Sequence, residues 1–299
     1  MRWVVKLNPF SGDTAARLSS RTRQSDGATS RAVTRWHTML RANALLSLVL
    51  WTLAALAVTH RRAVLDHETD VACRTQLLLS AIYVLACAFR SWLPVYDIPR
   101  IAIVNSRLSN VIVGRSVATV GELCFAAQWA LILHSIALLS HSYFAQVASL
   151  AIVPFIVLAE ICSWYAVLTT AQLGHVIENS IWGALAALLV VSMLVIGPHR
   201  IAALYPPLIA CGVGIAAYVV FMFWSDVPMY WSRWLADQAS GRQYLSLAQG
   251  LVDVCRRRVV SSRWEDWKGE MLWMSLYFTF GVWSSIFIVC ACLGLGTPR

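Results

Sequence analysis

Residues 117–169 read VATVGELCFAAQWALILHSIALL, then SHSY, then FAQVASLAIVPFIVLAEICSWYAVLT, and these two runs decide the fold. Each exceeds the roughly 20 mostly apolar residues that a helix needs to cross a hydrocarbon core at about 1.5 Å per residue. Each carries one acid, Glu122 in the first and Glu160 in the second, and neither holds a lysine or arginine. The short SHSY turn between them makes the two helices antiparallel neighbours. Five further stretches qualify as spans on either side: 43–58, 72–93, 180–196, 202–224 and 271–293. The chain reads as an all-α, polytopic membrane bundle of seven transmembrane helices.

Composition agrees. Of 299 residues, 59% are hydrophobic and 13% charged, against about 25% charged in an ordinary soluble chain. A mean hydropathy of +0.64 over this length leaves too little polar surface for water. Soluble enzymes, nucleic-acid binders and secreted disulfide scaffolds are thereby excluded. The first stretch is not a cleaved signal sequence, because residues 1–41 precede it and a signal's basic n-region is short. It reads as an anchor that stays in place.

Orientation follows from the basic residues. Nineteen of the 24 Lys and Arg fall in the N-terminal segment and in alternate loops, and five fall on the other side. That asymmetry places the N-terminus inside and the C-terminus outside, in a plasma or inner membrane or an organelle membrane. Trp92, Trp182, Trp224, Trp231, Trp234, Trp264, Trp267 and Trp273 fall near the inner boundary, where an indole is half apolar and half wet.

Residues 1–41 form a basic arm rich in Ser and Thr, read as disordered and drawn to anionic headgroups; a transit peptide has the same composition. Residues 42–299 form the membrane domain, with 225–270 an inner interfacial segment. Within it Tyr244, Leu247, Leu251 and Val254 recur at helical spacing and are followed by Arg256, Arg257 and Arg258. An amphipathic helix ending in a basic cluster lies on a membrane surface and meets anionic lipid headgroups. Docking of partner membrane subunits is the alternative use. The mixed segment 94–115 also reads as interfacial, and Pro206 and Pro207 are expected to kink the sixth span.

Chemistry is expected where polar groups enter the apolar spans. A carboxylate in hydrocarbon costs about 2.5–3.5 kcal/mol on insertion scales, so it needs a partner, water or a proton. Glu122 and Glu160 sit at matched depth on antiparallel spans, and so are candidates for an acid/base pair. His175 and Glu178, three residues apart, share a face if their turn is helical and would assist. Arg115, Asn179, Asp226 and Arg233 approach from the inner side and would contact a substrate, Arg115 through an anionic headgroup. The reading is an intramembrane enzyme working on a lipid or isoprenoid-like substrate. Two rivals are a non-catalytic subunit of a larger complex and a proton- or cation-coupled transporter, whose acids would form a relay.

No metal is expected, since di-metal bundles use Glu-x-x-His on facing helices and here the order is His175-x-x-Glu178, once. The outer histidines His60, His67, His134, His141 and His199 lack the spacing of a haem or copper site. Phosphate-loop, dinucleotide, nucleophile-elbow and zinc-protease motifs are absent, and a last span without lysine excludes a retinal Schiff base. The eight cysteines make no framework, although Cys73 could reach Cys290 or Cys292 on the outer side.

Overall fold

A computed structural model of the chain describes residues 11–61, 65–196 and 205–295. Seven of its helices are long and apolar enough to cross a membrane. The first five spans lie in α1 (Ser11–Arg61), α2 (His67–Trp92), α3 (Val111–Leu139), α4 (Tyr143–Thr169) and α5 (Gln172–Ile196). The last two are interrupted by π turns. The sixth runs α6 (Tyr205–Phe221), π1 (Met222–Asp226) and α7 (Val227–Ala239); the seventh runs α9 (Trp264–Leu276), π2 (Tyr277–Gly281) and α10 (Val282–Leu295). A short α8 (Leu247–Arg256) stands between them.

Each of the first five spans is a neighbour of the next, and the seventh returns to pack on α1 and α2 and to touch α3. This gives the two larger of the three apolar clusters among the described residues. One joins α1, α2 and the seventh span around Tyr83, Phe278 and Val289. The other joins α3, α4 and α5 around Ile132, Ile156 and Leu189, with Ile288 reaching in from the seventh span. The sixth span is the outlier: it leans on α5, and only 11% of its apolar window is buried, against 22–44% in the others.

At one end of the bundle the connecting segments fold into a cap. Strands β1 (Val95–Tyr96) and β2 (Ile101–Ala102) pair antiparallel, and β3 (Val259–Val260) joins β2 in parallel. Arg100 organises the cap from a left-handed backbone conformation, φ 60°. Its fully buried guanidinium donates to Asp253 (2.8 Å) and to the carbonyls of Asp97 (2.6 Å) and Val167 (2.7 Å). Gly250 lets α8 press onto the end of α4, since a Cβ there would stand 2.0 Å from the Leu168 carbonyl oxygen.

Several expectations are corrected by these details. Residues 33–44, assigned mostly to a disordered arm, are helical and packed. Val33, Trp36, Leu40 and Ala44 form a thin buried stripe at helical spacing, and the Trp36 indole donates to Ser275 at 3.0 Å. Residues 1–10 of that arm lie outside the described residues. Segment 94–115 takes the form of the cap hairpin followed by the first turns of α3, and its interfacial placement stays an expectation. Pro206 and Pro207, expected to kink the sixth span, stand among the first described residues of α6, and the chain just before them, 197–204, lies outside the described residues. Trp267 is fully buried and donates to the Ser261 carbonyl; it belongs to the packing and not to a surface belt.

Candidate functional site

The helix starts decide what the site contains. α3 begins at Val111, so Arg115 lies on its second turn, and Glu122, seven residues on, falls on the same stripe. α5 begins at Gln172, which makes residues 175–179 helical and puts His175 and Glu178 on one face. Glu160 arrives from antiparallel α4. Close contact of α4 and α5 is permitted by Gly174, where a Cβ would stand 2.5 Å from the Cys162 carbonyl oxygen.

Arg115 is the hub. One guanidinium nitrogen, Nη2, donates to Glu160 Oε2 at 2.6 Å, to Glu122 Oε2 at 2.9 Å and to Glu178 Oε1 at 3.5 Å. The three carboxyl groups offer oxygens within 4.8 Å of one another, and all four side chains are buried. Glu122 and Glu160 therefore do meet. Glu122 also accepts from the Tyr277 hydroxyl (3.0 Å), with Arg90 3.8 Å away. Glu160 accepts from Thr119 (2.6 Å), whose hydroxyl takes the Trp164 indole N–H (3.0 Å). Its other oxygen, Oε1, is buried without a hydrogen-bond partner, as is Arg115 Nε. His175 Nδ1 lies 2.7 Å from Glu178 Oε2.

A second group lies toward the cap, reached through the Tyr230 ring, 5.0 Å from that of His175. Asn179 donates to Asp226 at 2.6 Å. Arg233 donates to the Tyr96 hydroxyl at 3.0 Å, stands 3.8 Å from Glu270 and covers the Tyr230 face. Burial, aided by the nearby Glu270 carboxylate, pushes the Tyr96 phenol above its ordinary range and keeps its proton in place. No family model matches the chain, and no curated protein or solved structure does.

All eight residues singled out in the sequence fall in these two linked groups. Arg115, offered there as a headgroup contact, is instead the shared counter-ion of the glutamates. Three oxygen donors this close are also a geometry for a hard divalent cation, but the cation at their centre is the guanidinium of Arg115. Sequence reasoning missed Tyr277, Thr119, Trp164 and Arg90. For Tyr277 a faint signal existed, a hydroxyl on an apolar span next to a Thr-Phe-Gly run. The π turn that aims it leaves no pattern in one sequence. Among the far-end histidines, His134 is bonded to Ser149 (3.0 Å), and His199 lies outside the described residues.

Beyond the second group a cavity of about 400 Å³ opens at the cap end, lined among others by Tyr96, Gln172, Arg242 and Arg257. Gln172 is buried and its side-chain oxygen has no partner. Of the basic cluster, Arg257 lines this cavity, Arg256 is exposed, and Arg258 holds the 105–110 loop through Ser106, Asn105 and Asn110.

Proposed function

We propose that this integral membrane protein is an intramembrane enzyme performing acid/base chemistry on a lipophilic substrate with an anionic head. The carrying observation is a charge imbalance in a buried place. Glu122, Glu160 and Glu178 face Arg115 and, more distantly, Arg90. Three carboxylates against two guanidiniums leave one negative charge, which the low dielectric of a span does not sustain. One further proton restores neutrality. Like-charged acids held this close share protons, so a proton donor and an acceptor stand side by side. His175, bonded to Glu178 and facing Tyr230, is the natural entry for that proton.

The substrate class rests on surroundings. The site lies within the spans, next to the loosely packed sixth one. The cap-end cavity brings Arg242 and Arg257 beside Tyr96, which leads through Arg233 and Glu270 toward the glutamates. In this reading Arg257, with Arg256 at the surface, meets the headgroup, while Asn179, Asp226 and Arg233 line the approach. A second reading, a proton or cation relay in a transporter, draws on the same chain of polar groups.

One reconstitution separates these readings. Wild-type and Glu160→Gln protein are placed in vesicles of total lipid extract containing a trapped pH dye. Conversion of a lipid species, followed by mass spectrometry and absent from Glu160→Gln, is the expected result. Proton flux without conversion transfers the assignment to the relay. Folded protein giving neither sinks both and leaves a non-catalytic subunit.

A further inference from the structure

α2 runs into the cap and α9 runs out of it, so the start of α2 and the end of α10 meet at the opposite end of the bundle. There Cys73 Sγ and Cys292 Sγ stand 2.8 Å apart, both buried and both held as thiols. Their separation is shorter than ordinary packing of unbonded sulfurs and within a small shift of a covalent S–S bond, about 2.05 Å. A metal does not explain it, because among the described residues the one group of three or more metal-ligating side chains is that of the glutamates. Cys290, two residues earlier on α10, is exposed and so belongs to a different face.

We propose that Cys73 and Cys292 are joined by a disulfide in the mature protein. The proposal is independent of the function assigned to the glutamates. It draws on the asymmetry of basic residues, which puts the cap inside and this end in the compartment where disulfides persist. The oxidant is a disulfide of that compartment, carried by an oxidoreductase or a small thiol. One cysteine thiolate attacks it to give a mixed disulfide and releases one thiol. The second cysteine, giving up its proton, then displaces the other thiol and closes the Cys73–Cys292 bond. Two electrons and two protons thus leave the pair and reduce the oxidant to two thiols. Closure belongs to assembly, before the pair is buried, because the two residues are 219 positions apart and meet only when the seventh span docks. The bond would fasten that span to α2 within the core that they share.

The test uses full-length protein in membranes, quenched in acid, denatured and treated with a light maleimide. It is then reduced and treated with a heavy maleimide before peptide mapping. Six of the eight cysteines are expected to carry the light label, with Cys73 and Cys292 heavy. Cys290 and Cys255, both exposed, are internal controls for complete first labelling. Light label on Cys73 and Cys292 overturns the proposal. So does heavy label on Cys73 together with Cys290, which would mean the other pairing.

Discussion

Two buried polar networks cross this bundle, and they are built on different terms. The one around Arg115 is charged, joins α3, α4, α5 and the seventh span, and holds more acid than base. The other is neutral and joins α2, α3 and α10. Gln76 and Gln128 each donate to the other's backbone carbonyl at 3.1 Å. Ser285 donates to the Gln128 side chain at 2.5 Å, and its oxygen lies 2.9 Å from that of Ser80. In the neutral network amides and hydroxyls bond to one another and to backbone carbonyls without any net charge, which is how polar groups hold membrane helices together. Glue of that kind has no need of a surplus proton. The charged network has the surplus, and that surplus rather than an unanswered oxygen sets the two apart, since Glu160 Oε1 lacks a partner in the one and Gln76 Oε1 in the other.

Substitutions test that division, the largest effect on stability first. Arg115→Gln strands three carboxylates, and removing one partner of a buried ion pair costs about 3–5 kcal/mol. We expect little folded protein by fluorescence-detected size exclusion, with partial recovery in Arg115→Gln/Glu160→Gln because one acid is neutralised. An Arg115→Gln protein as stable as wild type would show that the glutamates do not depend on it. Gln128→Leu removes bonds worth about 0.6–1.7 kcal/mol each in a membrane. It should lower the thermal midpoint in detergent without altering lipid turnover; a selective loss of turnover would erase the distinction between the networks. Tyr277→Phe deletes one hydrogen bond to Glu122, about 1 kcal/mol, and should show a smaller fall by the same melt. Glu160→Gln removes one surplus charge and keeps its shape, so its midpoint should equal or slightly exceed that of wild type. A large drop would assign Glu160 to structure.

Much of this was legible from residue order. Seven spans followed from apolar length alone, and the meeting of Glu122 with Glu160 followed from their equal distance along antiparallel helices. His175 and Glu178 were found because a three-residue spacing has meaning only on a helix, and the helix extends back to Gln172. Arg115 was given to a headgroup for the opposite reason: α3 starts six residues earlier than hydropathy suggests. An arginine among Val, Gly and Ser reads as loop until the helix is seen around it. The neutral network was invisible because single Gln and Ser residues scattered through apolar runs carry no spacing signal; what joins them is contact between spans far apart in the chain. The cap escaped for the same reason, since β3 pairs with a strand 158 positions earlier.

The π turn of the seventh span bears on both networks at once. Tyr277 reaches Glu122 and Ser285 reaches Gln128, and both targets lie on α3. In an unbroken helix of 3.6 residues per turn, positions eight apart are rotated by about 80° from each other. One extra residue taken up between them makes them equivalent to positions seven apart, about 20° out of phase. The turn therefore acts as a phase corrector, with the Phe278 carbonyl inside it taken up by the Asn43 amide at 2.9 Å. Deleting a single residue from Tyr277–Gly281 would return the span to regular pitch and set its two halves at odds, so that it could serve one network or the other.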